Sequence, residues 1–123
     1  MTSLVNKFHI WTFLRNSILI GFVLFQFSCS EKSEVDISNT IQFEGKIYEI
    51  ESETPFSGIV YNNYSNGQRE YEGSYKNGTP NGSLIYWYEN GVTMREGMLE
   101  NGTPIGRWTY YNPDGSIQKT TDH

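Results

Sequence analysis

Two consecutive stretches decide the fold: GIVYNNYSNGQREYEGSYKNGTPN, residues 58–81, and GSLIYWYENGVTMREGMLENGTPI, residues 82–105. Written one above the other as blocks of 24, they agree at ten positions. These are Gly58 with Gly82, Tyr64 with Tyr88, Asn66-Gly67 with Asn90-Gly91, Glu72-Gly73 with Glu96-Gly97, and Asn77-Gly78-Thr79-Pro80 with Asn101-Gly102-Thr103-Pro104. A third, partial copy opens at Gly106, reaches Asp114-Gly115 at the same offset and ends at Lys119. Self-similarity at a fixed short period marks a stack of supersecondary units, each needing its neighbours to bury its apolar face.

Each block holds an apolar-aromatic run, an Asn-Gly or Asp-Gly pair, a second run and an Asn-Gly-Thr-Pro segment. Type I′ hairpin turns need positive φ at both central residues, which Asn or Asp followed by Gly supplies at low cost. Asn66-Gly67, Asn90-Gly91 and Asp114-Gly115 are therefore expected at turn tips, with the Asn-Gly-Thr-Pro segments joining successive hairpins. Pro80 and Pro104 cannot donate to a ladder, which confines them to loops or strand starts. Period-two alternation places Val60, Leu84 and Trp108 on one face with Asn62, Tyr86 and Tyr110. The other face carries Tyr61, Ile85, Thr109 and then Asn63, Trp87, Tyr111. Gly73 and Gly97 fall mid-strand, where an aromatic ring from an adjacent strand is the physical remedy for bare backbone.

The expected fold is all-β: an elongated antiparallel meander of stacked hairpins, preceded by an N-terminal signal-peptide helix. Residues 41–57 read as a degenerate leading strand pair and 120–123 as a tail. Residues 41–50 and Gly115 to Lys119 are the expected sheet edges, which a second copy of the chain could cap.

Residues 64–78 and Gly106 to Tyr111 resemble MORN-variant repeats, and within them the bacterial YwqK-like group that carries the antitoxin label. The resemblance spans about residues 56–119. It departs from the pattern where Asn62-Asn63 replaces the usual aromatics. It implies a gently curled sheet that serves as a protein-binding or scaffolding surface.

Ahead of the repeats, Met1 to Arg15 carries Lys7, His9 and Arg15 and is followed by an apolar run over residues 17–27. That is the length of a signal-peptide core, short of the roughly 20 apolar residues a membrane-spanning helix needs. Residues 1–28 are read as the signal peptide. Phe27-Ser28-Cys29-Ser30 resembles a lipobox, with Gln26 where Leu, Val or Ile is usual, and Cys29 is the sole cysteine. Acylation of Cys29 would make it the first mature residue and anchor the chain, each buried methylene contributing about 0.8 kcal/mol. Ser30 after the cysteine implies outer-membrane sorting. A secreted or single-span protein is the alternative. Residues 29–40 are polar and read as a flexible tether.

Composition narrows the function. All fourteen acidic residues and seven of the nine basic ones follow residue 28, so the part from Cys29 onward carries 7 − 14 = −7. Such a chain repels nucleic acid and anionic lipid surfaces, and Lys76, Arg95, Arg107 and Lys119 are too dispersed to suggest a basic patch. With His9 in the signal segment and His123 at the C-terminus, a histidine base and the usual zinc ligands are missing. No enzyme, metal or cofactor is expected. Glu72 and Glu96 could pair as glycosidase-like carboxylates, but repetition for structural reasons is the simpler account.

The leading reading is an envelope protein that binds a protein partner through Tyr86, Trp87, Tyr88, Trp108, Tyr110 and Tyr111, with Trp87 the foremost anchor. The same rings are also what a small sheet would bury to fold. Toxin neutralisation and glycan or lipid binding are the alternatives. Metabolic labelling with a clickable fatty acid tests the anchor: label on the parent is expected to vanish in Cys29→Ala, whereas an unlabelled parent would remove the lipid from the account.

Overall fold

The computed structural model describes residues 32–123; the signal segment and Cys29 lie outside the described residues. Seven strands form one sheet in the order β1-β4-β5-β6-β7-β8-β9. They are β1 (Glu34–Asp36), β4 (Gly58–Asn63), β5 (Arg69–Lys76), β6 (Thr79–Trp87), β7 (Thr93–Glu100), β8 (Thr103–Tyr111) and β9 (Ile117–Asp122). From β4 to β9 every pairing is antiparallel between sequence neighbours, the meander that the repeat implied. β2 (Thr40–Phe43) and β3 (Lys46–Glu49) form a separate two-stranded sheet.

The two kinds of Asn-Gly pair exchange the turn roles that the sequence suggested. Positive φ at both central residues occurs at Asn77-Gly78 (50° and 77°) and Asn101-Gly102 (48° and 81°), so the Asn-Gly-Thr-Pro segments hold the two-residue I′ turns. Thr79-Pro80 and Thr103-Pro104 then open β6 and β8. At the other end of the sheet only the glycines, Gly67, Gly91 and Gly115, are left-handed. There the Gly67 N–H donates to Tyr64 O (2.9 Å) and the Tyr64 N–H to Gln68 O (2.8 Å), a type I turn closed by a glycine bulge. Asn66, Asn90 and Asp114 still sit at the tips, but there each side-chain Oδ1 accepts the N–H two residues on.

Those tips are stitched to one another. The Tyr64 hydroxyl donates to Trp87 O and the Tyr88 hydroxyl to Tyr111 O, each at 2.8 Å and 23 residues along the chain. Asn66 Nδ2 reaches Glu89 O and Asn90 Nδ2 reaches Pro113 O by the same offset. In the third copy the equivalent positions are Asn112 and Asp114, whose side chains bond locally to Ser116 instead. The repeated Tyr-x-Asn-Gly is thus an inter-repeat clamp, which the third copy replaces with local bonds.

The core lies on one face. Val60, Leu84 and Trp108, which share a repeat position, are 1%, 9% and 4% exposed, and Val35, Phe56 and Tyr71 join them. Cross-strand register places Gly73 between Val60 and Leu84, and Gly97 beside Leu84 on the way to Trp108. A Cβ on Gly97 would sit inside the Trp108 indole, so the ring covers that backbone from the adjacent strand, as expected. At Gly73 the covering ring is Tyr71 of its own strand, with Leu84 beside it.

The structure corrects three boundaries. Residues 34–40, assigned to the tether, hold β1 and a 3-10 turn, Ile37–Asn39. Val35 pairs in parallel with Val60 and is 5% exposed. Composition averaged over twelve mostly polar residues hid the one apolar side chain that fits the bare edge of β4. Residues 41–50 are consequently not an edge of the main sheet. They form the β2-β3 hairpin, tied on by Ile47, whose N–H donates to Gly78 O at 3.0 Å. At the far edge β9 continues through the supposed tail, Thr121 pairing with Trp108 and Asp122 with Arg107.

Replacing Gly97 with Ala forces a methyl into the Trp108 ring, and such overpacking costs about 1–3 kcal/mol. Urea unfolding of Gly97→Ala should show that loss; unchanged stability would mean the indole is not seated on the glycine.

Candidate functional site

Two repeat positions interleave across the core face to build one continuous row. Asn62, Tyr86 and Tyr110 are spaced by 24 residues, as are Tyr71, Arg95 and Lys119. Register pairs them in the order Asn62, Tyr71, Tyr86, Arg95, Tyr110, Lys119, one residue from each strand from β4 to β9. The Tyr71 and Tyr86 rings lie 5.0 Å apart at 53°. The Arg95 guanidinium stands 4.1 Å above Tyr86, and the Lys119 ammonium 4.6 Å from the centre of Tyr110. Cations over ring faces are held by the ring quadrupole, by about 0.5–1 kcal/mol when exposed and more when dry. Arg95 Nε is buried without a hydrogen-bond partner. Tyr86, Arg95 and Tyr110 are half-buried and Lys119 is exposed, so the row is part core and part surface.

At the β4 end the row opens into a cleft of about 320 Å³ lined by Ile37, Asn62, Glu70, Tyr71, Tyr75 and Tyr86. Asn62 Nδ2 donates to Glu70 Oε2 at 2.6 Å, and the Tyr71 and Tyr75 hydroxyls share a hydrogen bond of 3.0 Å. Burial, followed by that bond to Tyr75, holds the Tyr71 hydroxyl protonated far above the ordinary phenol value.

The six aromatics expected to form one binding row are divided by this geometry. Trp108 is core, seated on Gly97 and closed to a partner. Tyr86 and Tyr110 belong to the row just described. Tyr88 is committed through its hydroxyl to Tyr111 O, and Trp87 is half-buried on the opposite face. Tyr111 on that face donates to Glu96 Oε1 at 2.7 Å, and this bond is the main cause of its raised pKa. Three successive aromatics in a strand cannot share a face, because side chains alternate. Arg95 and Lys119 were missed as site residues. The signal was present in their spacing from Tyr71, but a tyrosine, an arginine and a lysine do not look alike in a repeat alignment.

Glu72 and Glu96 lie on the outer face with Ile85 paired between them. That places them two strand spacings apart, about 9.6 Å. Glu72 faces Arg69 at 3.6 Å, which also contacts Glu34 at 3.5 Å and stacks 4.0 Å over Tyr61. Each carboxylate therefore has a structural partner. Among the described residues no cluster of three or more His, Cys, Asp or Glu could hold a metal, and no helix is long and apolar enough to cross a membrane.

With the fold and the row in hand, comparison with known proteins returns no match from family models, from curated proteins or from solved structures.

The buried Tyr71 makes stability sensitive to alkali. Its folded pKa lies above the unfolded value of 10.0, so its contribution is complete below that pH and is lost as pH rises beyond it. The slope from one such group is at most about 1.4 kcal/mol per pH unit. Urea midpoints at about pH 8 and about pH 11 should fall less in Tyr71→Phe than in the parent. Tyr64 and Tyr111, raised in the same direction, keep part of the loss.

Proposed function

We propose that this chain is a non-catalytic binding module of the cell envelope, a MORN-like repeat sheet held at the membrane through Cys29 and engaging a protein partner with its tyrosine-cation row. The observation that carries the reading is the row itself. Tyrosine and arginine, the residue types that dominate interface hot spots, stand interleaved and half-exposed over three adjacent strands as Tyr86, Arg95 and Tyr110, with the exposed Lys119 beside them on the fourth. Arg95 arrives with its guanidinium already oriented over Tyr86, so a partner carboxylate or carbonyl would meet it at reduced ordering cost. Toxin neutralisation would be one use of the same surface. The reading as non-catalytic rests on Glu72 and Glu96, whose partners on the outer face are structural.

A saccharide is the second reading, favoured by the cleft where Tyr71, Tyr75 and Tyr86 meet Asn62 and Glu70. Rings for stacking beside an amide and a carboxylate for hydroxyl groups are the elements of sugar recognition.

Crosslinking in intact cells followed by purification of the full chain separates these. A partner bound through the row should be retained by the parent and by the outer-face variant Met98→Ala, and lost from Arg95→Ala and Tyr110→Ala. A hot-spot loss of about 2 kcal/mol, roughly thirty-fold in affinity, is expected for each. A partner kept by both row variants would defeat the protein reading. Tyrosine fluorescence that changes with cell-wall oligosaccharides and is silenced by Glu70→Ala would favour the second.

A further inference from the structure

Where the chain enters the fold, a cleft of about 510 Å³ is lined by Lys32, Ser33, Ser57, Tyr75, Lys76 and Asn81. Gly58 completes its wall, and a Cβ there would strike the Ser33 carbonyl oxygen, so the close passage of the two backbones depends on that glycine. Among the described residues no lining side chain is acidic, although the protein carries fourteen acidic side chains. Sequence alone separates Lys32 from Lys76 by more than forty positions; the parallel pairing of β1 with β4 brings them to one cleft.

The site is held in place from below. The Ile59 N–H donates to Ser33 O at 2.8 Å, which fixes the backbone next to Lys32. Lys32 Nζ donates to Ser74 Oγ at 3.0 Å, and Ser74, 4% exposed, is bonded in turn to Ser83 Oγ at 3.1 Å. An ammonium has three donors, and Ser74 takes one. Ser57 Oγ accepts the Asn77 N–H at 2.8 Å, leaving its own hydroxyl proton to donate. Lys76 makes no ion pair among the described residues, whereas Arg69 and Arg107 are engaged by carboxylates and Arg95 and Lys119 by tyrosine rings.

We propose that this cleft binds a phosphoryl anion, with the Lys32 and Lys76 ammonium groups supplying charge and the Ser33, Ser57 and Asn81 side chains supplying neutral donors. Lysine acts on phosphate as a point charge, and several donors spread around one cleft suit a group with three or four acceptor oxygens better than a two-oxygen carboxylate. The phosphate could be that of a soluble compound or of a lipid headgroup. The lipid source rests on the anchor at Cys29, three residues before Lys32; the cleft itself does not.

The test uses the full chain in dodecyl maltoside micelles, following the amide signals of Gly58 and Asn81 by NMR. One arm adds inorganic phosphate, and the other dopes the micelles with phosphatidic acid, whose phosphomonoester presents three terminal oxygens. A saturable shift in the first arm assigns a soluble ligand, and a shift confined to the second assigns a headgroup. Lys76→Gln breaks no side-chain hydrogen bond or ion pair among the described residues and should weaken the response about five-fold; Lys32→Gln with Lys76→Gln should weaken it about twenty-five-fold. Arg107→Gln, on β8 and outside both the cleft and the row, should leave it unchanged. No saturable shift with either probe, or shifts that persist at parental affinity in the Lys76→Gln and double variants, would overturn the proposal.

Discussion

The structure depends on burying bare glycine backbone beneath large side chains along the core face. A seven-stranded sheet, six of whose strands form the meander, has one apolar face and, apart from a short hairpin and a 3-10 turn, no other described element to cover it. It covers itself by alternating large residues with none: Val60, Gly73, Leu84, Gly97 and Trp108 follow one another across the strands. Each glycine admits the neighbouring ring or aliphatic group close to the sheet, where full burial of a Val or Leu contributes about 1.5–3 kcal/mol. A side chain at Gly73 or Gly97 would lift Tyr71 or Trp108 off the backbone and open the core.

From that constraint the rest of the arrangement follows. The row next to the glycine row cannot be buried as deeply, since no second layer lies over it, and it is there that Tyr86, Arg95, Tyr110 and Lys119 stack as half-exposed pairs. The tips at one end are joined by tyrosine hydroxyls and asparagine amides reaching 23 residues ahead, which holds successive hairpins in register where the ladder ends. The opposite end is closed by tight I′ turns and by the segment before β4. Phe56 and Ile47 complete the core there, and the chain's entry brings Lys32 to Lys76.

Much of this was legible residue by residue. Val60, Leu84 and Trp108 were placed on one face by alternation alone, and the need for a ring over Gly97 followed from glycine in mid-strand. The turn types were not legible, because Asn-Gly serves both a two-residue I′ turn and a type I turn with a glycine bulge. Which one forms depends on how the flanking strands pair, and the bulges between Asn62 and Asn63 and between Tyr86 and Trp87 belong to the longer loop. The aromatic site was only half legible. A run such as Tyr86-Trp87-Tyr88 reads as one patch in sequence but is divided between two faces and a tip. Its neighbours in the row, Arg95 and Lys119, stand 9 residues beyond Tyr86 and Tyr110, on the next strand.

By itself the sequence determined the 24-residue period, the antiparallel order of the strands from Gly58 onward and the phase of each strand, because these depend on local turn chemistry and on side-chain alternation. Only the tertiary structure decided that Val35 fills the open edge of β4, that Arg95 lies over Tyr86, and that two distant lysines share a cleft with no carboxylate among its described lining residues. Those contacts join residues through strand register and edge pairing, whose outcome is set by which surfaces remain uncovered once the repeat has folded, and no local pattern in the chain encodes that.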